Sequence, residues 1–212
     1  MKLINLNLVE FNDEVDSKSP TPGGGSVSAL ASSIGVSLSR MVGHLTVGKK
    51  KFKALDIEVQ NKFNAIEEEF LYMKKELISL IDKDTDAFNL IMKGFKLPKE
   101  TDEEIKYRKQ KILEGTIEAI KVPYIVARLS LGALRNMEYI LKYGNKNTIS
   151  DVGVSTLMLY TGLEGAILNV KINIPGLDNQ DMIDMYGASI TEMLEEGKEI
   201  KDLILNKIHD SL

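Results

Sequence analysis

Three stretches of the sequence gather side chains suited to chemistry. The first is Pro20-Thr21-Pro22-Gly23-Gly24-Gly25-Ser26. Gly23, Gly24 and Gly25 free the backbone to approach a ligand, and the helix start that follows offers unpaired N–H donors. Such a loop suits an anion or a polar ring edge. It is not a nucleotide-phosphate loop, because no Gly-Lys-Ser/Thr follows the glycines and no strand pattern precedes them. A flexible turn capped by Ser26 accounts for the same residues, and both readings stay open.

The second is Asp84. Stepping along one helical face from Met73 through Leu77, Leu80 and Ile81 to Phe88 and Ile91 lands on it, so a carboxylate faces the core. Active sites use perturbed acids of this kind, while a buried acid satisfied by an Arg or a helix N-terminus is the structural alternative. Asp82 and Asp86 project from the opposite side and read as solvated charges. The third stretch collects Asn145, Asn147, Ser150 and Asp151, polar groups able to orient a ligand. A capping box between Thr148 and Asp151 explains the same spacing. Lys49-Lys50-Lys51 follows a helix end, where cations are favoured electrostatically and where they also suit a carboxylate tail.

The elements that must position these groups all read as helices. Val27, Leu30, Ala31, Ile34, Leu38, Met41, Val42 and Leu45 keep the spacing of an amphipathic helix starting at Ser26, with Gly48 as its stop. Ser28, Ser32, Gly35, Ser39 and Gly43 on its other faces let a second helix approach closely. A stripe from Leu55 to Ile91 predicts one long helix over about 53–94. Thr101 and Glu104 form a capping-box signature for the next, which Pro123 is expected to divide into pieces 101–121 and 123–143. Residues 148–174 are apolar or small nearly all round, predicting a buried central helix, and an amphipathic helix over about 180–208 closes the chain. The expected fold is an all-α bundle of six or seven helices in a single domain, 1–212.

Composition narrows the function. With 27 Lys plus Arg against 31 Asp plus Glu, the net charge of −4 offers no overall basic field for nucleic acid or an anionic membrane. The chain has no Cys, and its two His are His44 and His209, which argues against thiolate chemistry, disulfides and a structural metal site. No apolar run reaches the length of a membrane span, and Met1-Lys2-Leu3-Ile4-Asn5 lacks the pattern of an export signal, so the expected location is the cytoplasm.

The segments Ser19 to Leu30, Met41-Val42-Gly43, Thr46 to Phe52, Asp82 to Phe88, Leu97-Pro98, Gly144 to Val154 and Asn169 to Asn173 resemble the cyclodeaminase domain of formiminotransferase-cyclodeaminase. They are also similar to the stand-alone bacterial methenyltetrahydrofolate cyclohydrolases of that family. Pro-Thr-Pro-Gly-Gly-Gly-Ser and Gly-Asn-x-Asn-x-x-Ser-Asp, in this order, carry the likeness over nearly the whole chain. It implies an all-helical homodimer with a folate cleft near the subunit interface and no metal or redox cofactor. A tetrahydrofolate derivative is then the substrate, and no counterpart of the formiminotransferase domain is expected.

The family's reactions share one carbon held between N5 and N10 of tetrahydrofolate. In the hydrolytic direction water adds to the cationic methenyl carbon, which needs a base and stabilisation of charge; release of ammonia from the formimino form needs an acid. The resemblance implies Asp84 or Asp151 for the proton. It assigns Pro22, Gly23, Gly24, Gly25 and Ser26 with Asn145, Asn147 and Ser150 to the pterin and its bridge, and Lys49 to the glutamate tail. The expected activity is methenyltetrahydrofolate cyclohydrolase, the alternatives being formiminotetrahydrofolate cyclodeaminase and a non-catalytic folate-binding module.

Overall fold

The computed structural model describes residues 2–212, which form seven α-helices and three short 3-10 turns, with no strand among the described residues. The helices are α1 (Leu8–Val15), α2 (Gly24–His44), α3 (Lys50–Lys53), α4 (Ile57–Phe95), α5 (Asp102–Tyr143), α6 (Ile149–Asn173) and α7 (Gln180–His209). Helix α2 packs against α6 and α4, α5 packs against α4 and α6, and α7 covers α6 and α5. Among the described residues no helix is long and apolar enough to cross a membrane.

Local signals account for most boundaries. Gly48 takes φ +81°, a conformation costly for residues with a Cβ, just beyond the end of α2. The Thr101 hydroxyl accepts from Glu104 N at 3.2 Å and the Glu104 carboxylate accepts from Thr101 N at 3.1 Å, the expected capping box. Asn7 and Glu10 build a second such box for α1, an element the periodicity did not disclose. The short α3 was likewise not foreseen.

Pro123 does not divide its helix, and α5 runs unbroken for 42 residues. Proline has no N–H to offer the carbonyl four residues back. That carbonyl, Ala119 O, instead accepts from Asn173 Nδ2 of α6 at 3.3 Å. The chain thus has a second long helix beside the 39-residue α4.

The face that α2 turns inward also differs from expectation. Ser28, Ser32, Gly35, Ser39 and Gly43 are buried, while Val27, Ile34 and Leu45 of the apolar stripe stay 39%, 45% and 40% exposed. Small residues permit the closest backbone approach. A Cβ on Gly35 would lie 2.9 Å from Leu159 Cγ, and one on Gly162 1.8 Å from Ser32 Oγ. The buried hydroxyls satisfy one another, Ser32 with Ser130 and Ser39 with Ser155, each at 2.6 Å. Helix α6 is central as expected, yet leaves Val154, Leu157, Leu168 and Ile172 exposed in an apolar strip of its own.

Candidate functional site

Helix α2 begins at Gly24, ahead of Ser26, and Gly23 at its N-cap has no side chain to offer. The cap comes from another helix. Asp84 of α4 accepts from Ser26 N at 2.9 Å and from Ser26 Oγ at 3.3 Å, both through Oδ2. Ser26 Oγ also donates to Ile81 O at 2.8 Å, so the serine ties α2 to α4 rather than capping its own helix. Oδ1 of Asp84 accepts no hydrogen bond from the described residues. Burial raises the Asp84 carboxyl above the usual aspartate range, outweighing the two Ser26 bonds that favour its ionised form.

Gly25 is what lets the carboxylate in. A Cβ there would lie 2.0 Å from Asp84 Oδ1. Gly25→Ala must therefore push Asp84 aside or shift α2, and we expect a loss of about 1–3 kcal/mol of stability together with most of any Asp84-dependent rate. Denaturant titration and steady-state kinetics check both. Gly24 performs the same service on the other side, where a Cβ would meet Asn169 Nδ2 of α6 at 3.0 Å. Pro22 is buried beneath this turn.

Lys49, Asn145 and Asn147 lie at the opposite end of α2, which is about 30 Å long. They line a cavity of about 530 Å3 together with Lys50, Lys51, Lys142 and Lys146. A second cavity of about 750 Å3 shares Lys142, Tyr143 and Lys146 with it and adds Lys62 and Lys207. This acidic protein thus concentrates cations at one end, a setting for carboxylates. Asn145 is committed to the scaffold: its N donates to Thr46 Oγ1 at 2.8 Å, its Nδ2 to Leu45 O at 3.2 Å, and its Oδ1 accepts from Asn147 N at 3.1 Å.

Ser150 is exposed and Asp151 half-buried in the first turn of α6. The anticipated Thr148–Asp151 box does not form, because the Thr148 hydroxyl turns back to Asn145 O at 2.7 Å. Because α6 runs antiparallel to α2, Asp151 stands near the Lys49 end, far from Asp84 within one chain. Asp82, read as solvated, accepts from Leu3 N at 2.6 Å and pins the N-terminal turn.

Two groups escaped the sequence reading. Asn169 sits beside Gly24, and its only advance signal is its place in the Asn169 to Asn173 segment of the resemblance. Glu67 is buried over Gly43, where a Cβ would lie 2.1 Å from its Oε1. Its Oε1 has no hydrogen-bond partner, and Arg40 Nη1 stands 3.9 Å from Oε2 while bonding Glu67 O. Burial lifts this carboxyl from its ordinary 4.5 to about 7, against the opposing pull of Arg40.

The sequence profile described as formiminotransferase-cyclodeaminase matches residues 7–192. A methenyltetrahydrofolate cyclohydrolase from Methylorubrum extorquens is 34% identical over 204 residues, 96% of each chain. A formimidoyltransferase-cyclodeaminase from Gallus gallus is 32% identical over 96% of this chain, which spans 37% of that longer protein. Among solved structures, formiminotetrahydrofolate cyclodeaminase from Thermotoga maritima superposes with a TM-score of 0.77 at 25% identity, covering 97% of this chain and 95% of that one.

Proposed function

The chain belongs to the formiminotransferase-cyclodeaminase family, and from that premise we propose that it is a methenyltetrahydrofolate cyclohydrolase with Asp84 as its proton-transfer group. The likeness to a cyclohydrolase along the full length of both chains supports the activity. The observation that carries the site is Asp84: Ser26 holds one oxygen, the other is unengaged, and burial raises the acid above the ordinary aspartate range.

In this mechanism Asp84 takes a proton from water as the water oxygen bonds to the methenyl carbon, giving a neutral tetrahedral centre. The same proton passes to N5 as the carbon–N5 bond breaks. The carbinol hydroxyl loses its proton to solvent and becomes the formyl carbonyl on N10, so the net products are 10-formyltetrahydrofolate and one proton. The N–H groups of Gly24 and Gly25, without acceptors in the first turn of α2, face the ring edge as donors. Lys49 and its neighbours hold the glutamate carboxylates.

One substrate cannot reach both ends of α2 inside one chain, and a homodimer resolves this. We take the uncovered strips of α2 (Val27, Ile34, Leu45) and α6 (Val154, Leu157, Leu168, Ile172) as the contact between copies. Antiparallel pairing of two α2 helices across a twofold sets the Lys49, Asn147, Ser150 and Asp151 end of one copy beside the Asp84 end of the other. Ile34→Asp is expected to give a folded monomer with at least tenfold lower turnover, read by light scattering and rate assay, since a buried unpaired charge opposes association. A monomeric wild type with full activity would refute the shared site.

The runner-up, formiminotetrahydrofolate cyclodeaminase, is favoured by the close superposition on the Thermotoga maritima enzyme. Assaying both substrates side by side separates the two. Loss of the methenyl absorbance with no ammonia from the formimino substrate supports the cyclohydrolase; ammonia release at the greater kcat/KM would replace it.

A further inference from the structure

We infer that Asn169 is a substrate-contacting residue of the site at the α2 N-terminus, its Oδ1 accepting a hydrogen bond from an N–H of the bicyclic ring. The inference rests on the folate reading above.

Two asparagines stand four residues apart on α6, and they are used differently. Asn173 Nδ2 is engaged with Asn169 O at 2.8 Å and Ala119 O at 3.3 Å, stapling α6 to α5. The Asn169 side chain makes one bond, from Nδ2 to Gly165 O at 2.9 Å within its own helix. That bond fixes which end of the amide is nitrogen and leaves Oδ1 without a partner among the described residues. The carboxamide lies along Gly24, where a Cβ would come within 3.0 Å of Nδ2 and 3.6 Å of Oδ1. A side chain at position 24 would stand between Asn169 and the first turn of α2.

The chemistry of the ligand calls for such an acceptor. A reduced pterin presents an oxo group but also ring N–H and exocyclic amino donors. The first turn of α2 supplies donors only. Asp84, on the far side of Gly25, has one oxygen committed to Ser26 and the other required at the one-carbon bridge. Asn169 contributes a neutral acceptor from a third helix, on the opposite flank of the same turn. The glycines at 24 and 25 therefore serve two different side chains, one holding the ring and one moving the proton.

The test is steady-state hydrolysis of methenyltetrahydrofolate by full-length wild type, Asn169→Ala and the space-filling Asn169→Leu, with melting temperatures recorded for all three. Loss of a ring hydrogen bond predicts a KM about tenfold higher in both variants. The kcat stays within about threefold, and the pH profile and melting temperature are unchanged, as a group outside the proton transfer requires. An unchanged KM overturns the inference. So does a fall in kcat and melting temperature at constant KM, or failure of either variant to fold, each of which assigns Asn169 to the scaffold. A wild type that turns over beside variants with unchanged KM removes the inference alone; a wild type that neither binds nor turns over the folate removes the proposed function with it.

Discussion

Asp84→Asn is expected to fold like the parent chain and to lose about 10²–10⁴-fold in turnover, the range that positioned general acid–base groups supply. The substitution is nearly isosteric. Asn Oδ1 still accepts from Ser26 N, so the cross-helix cap of α2 survives, and the space over Gly25 stays filled. What disappears is a group that can take a proton from water. Because burial raises this acid, the ionised form fills only at pH above the ordinary aspartate range, and the wild-type rate should climb with pH through that raised value. The variant should lack this limb. Steady-state rates across pH, with circular dichroism to verify the fold, provide the check.

Glu67→Gln should change the pH dependence of stability by roughly 3 kcal/mol, the free energy that corresponds to lifting a carboxyl from 4.5 to about 7. The folded state holds the proton more tightly than the unfolded chain. This group therefore favours folding fully below pH 4.5, and its contribution is lost as pH rises to about 7. Above that pH the wild type carries a buried carboxylate whose Oε1 has no donor and whose nearest cation, Arg40, stands 3.9 Å from the other oxygen. Gln is neutral throughout, so the variant should lose the slope between those values and exceed the wild type in stability at pH 8. Urea titrations at several pH values measure it; a wild-type slope retained in the variant would show that the slope arises from a group other than Glu67.

The sequence made the scaffold legible where causes are local. The Thr101–Glu104 box, the Gly48 stop, the span of α4 and the inward direction of Asp84 all follow from spacing within a few turns of one helix. Features whose cause lies on another helix were not legible. Pro123 sits in an unbroken helix because Asn173, far along the chain, donates to Ala119 O. Residue types between Glu67 and Glu69 look like a solvated acidic run, yet Gly43 on α2 opens room for Glu67 alone.

The inward face of α2 follows the same logic. Apolarity singled out Val27, Ile34 and Leu45, whereas closeness of approach selected Gly35 together with Ser32 and Ser39, the two serines finding hydroxyl partners only once α5 and α6 are in place. At the site, Asp84 caps the N-terminus of α2, the structural alternative, and keeps its other oxygen unengaged, the feature on which its proposed proton-transfer role rests. Spacing alone could not tell that α6 runs back along α2. That direction sends Asp151, Asn145 and Asn147 to one end and Asp84 to the other, which is why the proposed site draws on a second copy of the chain.

The central claim is tested most directly by mixing purified protein with methenyltetrahydrofolate, without added metal, and following its ultraviolet absorbance against the spontaneous rate. The expected result is a protein-dependent loss that saturates with substrate, yields 10-formyltetrahydrofolate, and falls about 10²–10⁴-fold in Asp84→Asn. Loss no faster than the blank with folded wild-type protein would contradict it.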